Sequence, residues 1–264
     1  MATETVPTRP KEGLGATDRT DNWWVGPLAT ALGLGAFGVY STIRAFANAD
    51  FLVEKGSHLL SPFYSPHIML PESWAWISPA FLILWAPGGF RLTCYYYRKA
   101  YYRSFFLDPP ACAVGEPRNQ YQGETRLFLF QNLHRFFLYV ALIFIVLLTT
   151  DVIKACIWTT DRSGAPLAGV TFGVSVGTLV LALCTTLLAL YTFSCHSLRH
   201  LIGGNVDCYS CVAFGTVRYK AWKGVSVLNK KHMLWAWLSL FMVGFADFYV
   251  FLVASGRIED LRIF

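Results

Sequence analysis

Five apolar stretches decide what this chain can become. They cover residues 24–46, 75–97, 133–158, 168–193 and 233–254. Each is long enough to cross a hydrocarbon core of about 30 Å, which takes about 20 helical residues. With 55% hydrophobic and only 14% charged residues, against about a quarter charged in soluble domains, the expectation is an all-α integral membrane protein with five transmembrane helices. A polar tail, residues 1–23, precedes a membrane domain, residues 24–264. Pro79 and Pro87 fall in the second span, where a kink is expected rather than a break. Gly169, Gly173 and Gly177 repeat at four-residue spacing in the fourth, a ridge that would let a neighbouring helix approach closely.

Lysine and arginine set the orientation. The tail, the loop between spans two and three and the loop between spans four and five carry fourteen of them, and the opposite side carries five. That asymmetry predicts a cytoplasmic N-terminus and an outside C-terminus. It also accounts for the net charge of +6 without nucleic acid as a partner. Seven cysteines are scattered along the chain, and residues 1–20 show no apolar signal region, so no disulfide framework is expected and the thiols stay available for metal.

With this topology six metal-capable side chains gather at the cytoplasmic edge: Cys94, Cys112, His134, His196, His200 and His232. An apolar bundle has little structural use for thiolates and imidazoles at one depth, whereas haem and iron–sulfur centres need them. Two haems would need histidines in the interiors of the spans, and the interiors of all five contain none. One haem b at the edge remains open, with His134 or His196 facing His232. A 2Fe–2S cluster fits the residues better. His196 and His200 are spaced i, i+4 and point the same way, which suits two ligands on one iron. Exchanging two thiolates for imidazoles raises the potential of such a centre. Two thiolate pairs are available, the local Cys208/Cys211 and the distant Cys94/Cys112, while Cys156 and Cys184 read as packing residues.

Two charged positions in the spans bear on function. Arg91 could hold a quinone carbonyl or reach for the interface. Asp247 lies deep in the fifth span, where a carboxylate is costly and marks either a proton path or a paired buried acid. Asp151 and Lys154 form one pair near the outer face. A transporter without a redox centre would put Asp247 on its substrate path, but the paired broken repeats common in transporters are not found.

The segments Cys94–Arg98, Pro109–Cys112, Gln131–Arg135, Cys195–His200 and Asn229–Trp235 together resemble one family, the single-chain membrane anchor of actinobacterial succinate dehydrogenase, respiratory complex II. The resemblance covers roughly residues 75–255. It implies a subunit of a bacterial plasma-membrane complex that docks a flavoprotein and an iron–sulfur subunit and reduces a quinone, menaquinone or ubiquinone. It also implies a Rieske-type 2Fe–2S cluster with two cysteine and two histidine ligands. Because the likeness is strong around Cys94 and Cys112 and blurs across 205–214, it favours Cys94, Cys112, His196 and His232 as ligands, with His134 and His200 in reserve. Arg91 and Trp235 are the expected quinone contacts.

Overall fold

The computed structural model describes residues 13–54, 56–74, 76–117, 127–160, 165–204 and 206–264. Of the cations counted for orientation, Arg9, Lys11, Lys55, Arg118, Arg126 and Arg162 lie outside these residues.

The bundle is built from α1 (Val25–Ala47), α2 (Pro79–Thr93), α4 (Leu127–Ala155), α5 (Val176–Phe193) and α8 (His232–Ala254). Four of them, α1, α4, α5 and α8, are long and apolar enough to cross a membrane, as an integral membrane protein requires. The second expected span is shorter than 75–97. α2 has fifteen residues, starts on the Ser78 cap with Pro79 in its first turn, and ends at Cys94. The chain then turns into α3 (Tyr95–Ser104), for which Cys94 is the N-terminal cap. Pro87 sits inside α2 without ending it.

The third and fourth spans are trimmed on the opposite face. α4 gives way to β3 (Ile157–Thr160), which pairs antiparallel with β4 (Pro166–Phe172). The glycine ridge is therefore not helical: Gly169 lies in β4 and Gly173 follows it, its N–H donating to the Cys156 carbonyl. Only Gly177 belongs to α5, where its N–H donates to Asp260. A second small hairpin, β1 (Leu52–Val53) with β2 (Leu59–Leu60), is packed on the same side.

α5 packs against α8 and α4, and α4 against α2. At the α2–α4 contact a Cβ on Gly89 would stand 2.3 Å from the Phe137 ring. The α4 and α2 helices meet because that residue has no side chain. Towards the hairpin side, Asp247 of α8 is fully buried and paired. It accepts hydrogen bonds from Arg44 Nε at 2.8 Å, Tyr40 Oη at 2.6 Å and Ser61 Oγ at 2.5 Å. The buried-acid reading of Asp247 thus holds, with α1, α8 and the hairpin tied at one point. Lys154 lies 3.5 Å from Asp151 as expected, and Asp151 also accepts from Ser65 Oγ.

On the other side, α6 (His196–Arg199) follows α5 directly, and α7 (Gly215–Asn229) leads into α8. Between them Cys208 and Cys211 form a disulfide, S–S 2.04 Å, against the expectation of reduced thiols throughout. A tight turn holds their Cα atoms 5.3 Å apart, within bonding range, so this pair is not available as cluster thiolates.

Candidate functional site

The C-terminal ends of α2 and α5 carry the same short pattern, Phe90-x-x-Thr93-Cys94 and Tyr191-x-x-Ser194-Cys195. Each helix stops at the hydroxyl residue, and each cysteine caps the next helix, α3 in one case and α6 in the other. Facing them, His134 projects from the first turns of α4 and His232 opens α8.

The contacts cross over. Cys94 Sγ lies 3.4 Å from His232 Nε2, while Thr93 Oγ1 lies 2.9 Å from His134 Nδ1. Cys195 Sγ lies 3.1 Å from His134 Nε2, while Ser194 Oγ lies 2.7 Å from His232 Nδ1. The aromatic member of each pattern stacks on a histidine. Phe90 lies on His134 at 4.7 Å between centroids, and Tyr191 on His232 at 5.1 Å.

The hydroxyl contacts favour one tautomer of each ring. Thr93 Oγ1 donates to the Gly89 carbonyl at 2.7 Å, and Ser194 Oγ donates to the Tyr191 carbonyl at 2.9 Å. With its one hydrogen used, each hydroxyl can only accept from the imidazole. Both rings are then Nδ1–H tautomers, and both unprotonated Nε2 atoms face a thiol. Two cysteine sulfurs and two bare imidazole nitrogens from four helix ends thus share one space. Cys94, Cys195 and His134 are buried, and a cavity of about 620 Å3 opens beside them.

Of the expected ligands, Cys94 and His232 meet here, and so does the reserve His134. His196 and His200 line the rim of the same cavity and are exposed, with Arg135 beside His200 Nδ1 at 3.1 Å. Cys112 is elsewhere. It is exposed, and its loop holds the N-terminal segment: the Cys112 carbonyl accepts from Arg19, the Gly15 N–H donates to the Gly115 carbonyl, and the Gly115 N–H donates to the Ala16 carbonyl. Cys195 was missed by sequence reasoning. The signal was present in the repeated aromatic-x-x-hydroxyl-Cys pattern, which marks it as the counterpart of Cys94.

The sequence profile of the actinobacterial succinate dehydrogenase subunit SdhC matches residues 25–256. This chain belongs to that family. It is a membrane-anchor subunit of succinate dehydrogenase and works as part of a multisubunit oxidoreductase complex. Among solved structures, it is similar to a chain of the Mycobacterium smegmatis Sdh1 complex in the apo form, with 44% identity, 98% of both chains covered and a TM-score of 0.81. No curated protein matches the sequence.

In this succinate dehydrogenase anchor a second cavity, about 170 Å3, lies on the membrane side of the four-residue group. Phe90, Arg91 and Tyr191 wall its inner end, and Phe37, Phe63 and Leu148 are among its apolar lining. One aromatic ring therefore stands between each of the two histidines and this cavity. Arg91 is held by the Ala236 carbonyl, Ser239 Oγ and Tyr97 Oη, and its guanidinium lies 4.7 Å over the Tyr191 ring. The Tyr191 hydroxyl is buried and has no partner among the described residues. Trp235 does not line the cavity. Its indole nitrogen is also buried without a partner among the described residues, and it packs against the buried cluster that includes Cys94, Leu138 and Cys195.

Proposed function

We propose that the chain is the quinone-reducing subunit of succinate:quinone oxidoreductase, and that Cys94, Cys195, His134 and His232 hold a Rieske-type 2Fe–2S cluster. The supporting observation is the donor set itself: two thiols and two bare imidazole nitrogens facing one another, with both tautomers fixed from behind. Among the described residues no three His, Cys, Asp or Glu side chains converge on a single point. A 2Fe–2S cluster would ask for less, because each iron would need only two protein ligands. The donor set fits that group by number and by type. It suits a haem poorly, since thiols 3.1 and 3.4 Å from the two Nε2 atoms stand where the macrocycle would lie. Such a cluster supplies one-electron transfer at a potential above that of an all-thiolate centre.

The residues around the set do the rest. Arg98 and Arg91 lie close enough to act electrostatically on His134 and His232 respectively, and buried positive charge favours the electron-rich state of whatever is bound between them. The membrane-side cavity takes the quinone head group, with its chain leaving among apolar side chains. Tyr191 lines this space and its buried hydroxyl has no partner among the described residues, and an unmet buried hydroxyl costs about 1–3 kcal/mol. A quinone carbonyl oxygen meets that need. Arg91 backs the tyrosine ring and adds positive charge near the same carbonyl. Trp235 has no part in this arrangement.

α2 is taken as a fifth, short crossing, which leaves the N-terminus cytoplasmic and the C-terminus outside, in the bacterial plasma membrane. The basic inner loops, α7 included, then face the flavoprotein and iron–sulfur subunits that oxidise succinate.

The test is low-temperature EPR with iron and acid-labile sulfide assays on the reduced complex. Wild type and His196→Ala should both show a rhombic signal of low average g, and His134→Ala should not. A signal that survives His134→Ala but not His196→Ala would return the ligand to the exposed rim. A Soret band in place of the signal would decide for haem b.

A further inference from the structure

Both imidazoles are held from behind by a hydroxyl whose only hydrogen is already committed to its own helix. That arrangement is more specific than packing requires. A valine at 93 would fill nearly the same volume as threonine, and the buried Ser194 site has room for an alanine. What valine and alanine lack is an oxygen that accepts and cannot donate. The crossing matters as well. Thr93 adjoins Cys94 but binds the histidine opposite Cys195, and Ser194 adjoins Cys195 but binds the histidine opposite Cys94. Each helix end thus supplies one sulfur to the shared space and one acceptor to the other sulfur's histidine.

We infer that Thr93 and Ser194 are paired positioning residues that fix both histidines as Nδ1–H tautomers and make their Nε2 atoms more basic, which sets the potential of the group those atoms bind. This rests on the cluster reading above. An acceptor on the far nitrogen of a metal-ligating histidine raises its basicity and fixes its orientation. A more basic ligand favours the oxidised, ferric state. Removing either hydroxyl should therefore raise the midpoint potential. The two changes act on different rings and should add. Ser194 has a second tie, since its carbonyl accepts from Asn229 Nδ2 at 2.8 Å, so the backbone there stays anchored when the side chain is trimmed.

The experiment is an EPR-monitored redox titration of the whole complex carrying Thr93→Val, Ser194→Ala, the double change, or the conservative Thr93→Ser. Iron and sulfide are measured on each sample. The expected result is full cluster content, a midpoint raised in each single variant and raised further in the double, and Thr93→Ser at the wild-type value. Loss of the cluster in Thr93→Val with recovery in Thr93→Ser also supports the assignment, through orientation. Unchanged midpoints with the cluster present overturn it, as does loss in Thr93→Ser equal to that in Thr93→Val. A wild-type complex with no cluster signal is a separate outcome, and it takes down the cluster reading together with this one.

Discussion

Cys195 Sγ stands 3.1 Å from His134 Nε2 across 61 positions of sequence, and that pair joins the end of α5 to the start of α4 at the centre of the candidate site. It separates two ligand sets cleanly. If the proposed cluster is held here, Cys195→Ser should cost the complex the rhombic signal of low average g and the iron that goes with it. Cys112→Ser, on the exposed tail-docking loop, should leave both in place. Iron and sulfide analysis of the two variants side by side checks this.

Quinone affinity should answer to Tyr191. Removing the hydroxyl in Tyr191→Phe takes one hydrogen bond from the carbonyl and keeps the ring stacked on His232. A net loss of about 0.5–1.5 kcal/mol corresponds to a quinone KM raised roughly 2- to 13-fold, with succinate oxidation by an artificial acceptor unchanged. Trp235→Phe should leave quinone KM alone; a rise there would restore the sequence-based assignment.

The Arg44–Asp247 pair should be expensive to halve and cheaper to remove whole. Asp247→Ala strands a buried guanidinium, and breaking one side of a buried ion pair costs about 3–5 kcal/mol. The double change Arg44→Met with Asp247→Leu removes the stranded charge and should recover much of that loss. Thermal unfolding in detergent orders the variants.

Gly89→Ala should loosen the bundle next to the site. Its Cβ would fall 2.3 Å from the Phe137 ring, and overpacking of this kind costs about 1–3 kcal/mol. A second change, Phe137→Leu, should return part of the stability if that ring is the obstacle.

The outer hairpin should weaken in acid because of His58. Burial, with Lys154 nearby, holds its pKa below the ordinary imidazole value, so the folded state favours the neutral ring. The stability this represents is present above an unfolded pKa of about 6.5 and is lost as pH falls through the lower folded value. Hydrogen exchange of β1 and β2 should accelerate as pH drops below 6, after correction for the intrinsic rate, and His58→Gln should flatten that dependence.

The spans were legible because hydropathy is a local property: α1, α4, α5 and α8 fall within a few residues of the stretches read from sequence at most ends. Where the reading slipped, a contact between distant segments decided the outcome. Residues 168–175 are apolar enough for a helix, yet β4 is taken up by pairing with β3, and Gly173 by Cys156. The site was half legible for the same reason. Cys94, His134 and His232 announce themselves at span ends, but spacing cannot say which ends meet. His196 and His200 looked paired because i, i+4 residues share a helix face, and the face they share is the exposed rim. Cys195, next to His196, was passed over in favour of Cys112, which the family likeness suggested and the tail-docking loop claims.

α2 is only fifteen residues long, about 22 Å at 1.5 Å per residue, against a hydrocarbon slab of about 30 Å. A helix that short meets a full bilayer only if the lipid thins or its ends are drawn inward. Its inner end is Thr93 and Cys94, and its next turn is the Tyr- and Arg-rich α3, suited to lying at the headgroups. Bilayer thickness therefore bears directly on the turn that presents Cys94. Acyl-chain length is then a variable that acts on this turn with no substitution in the protein.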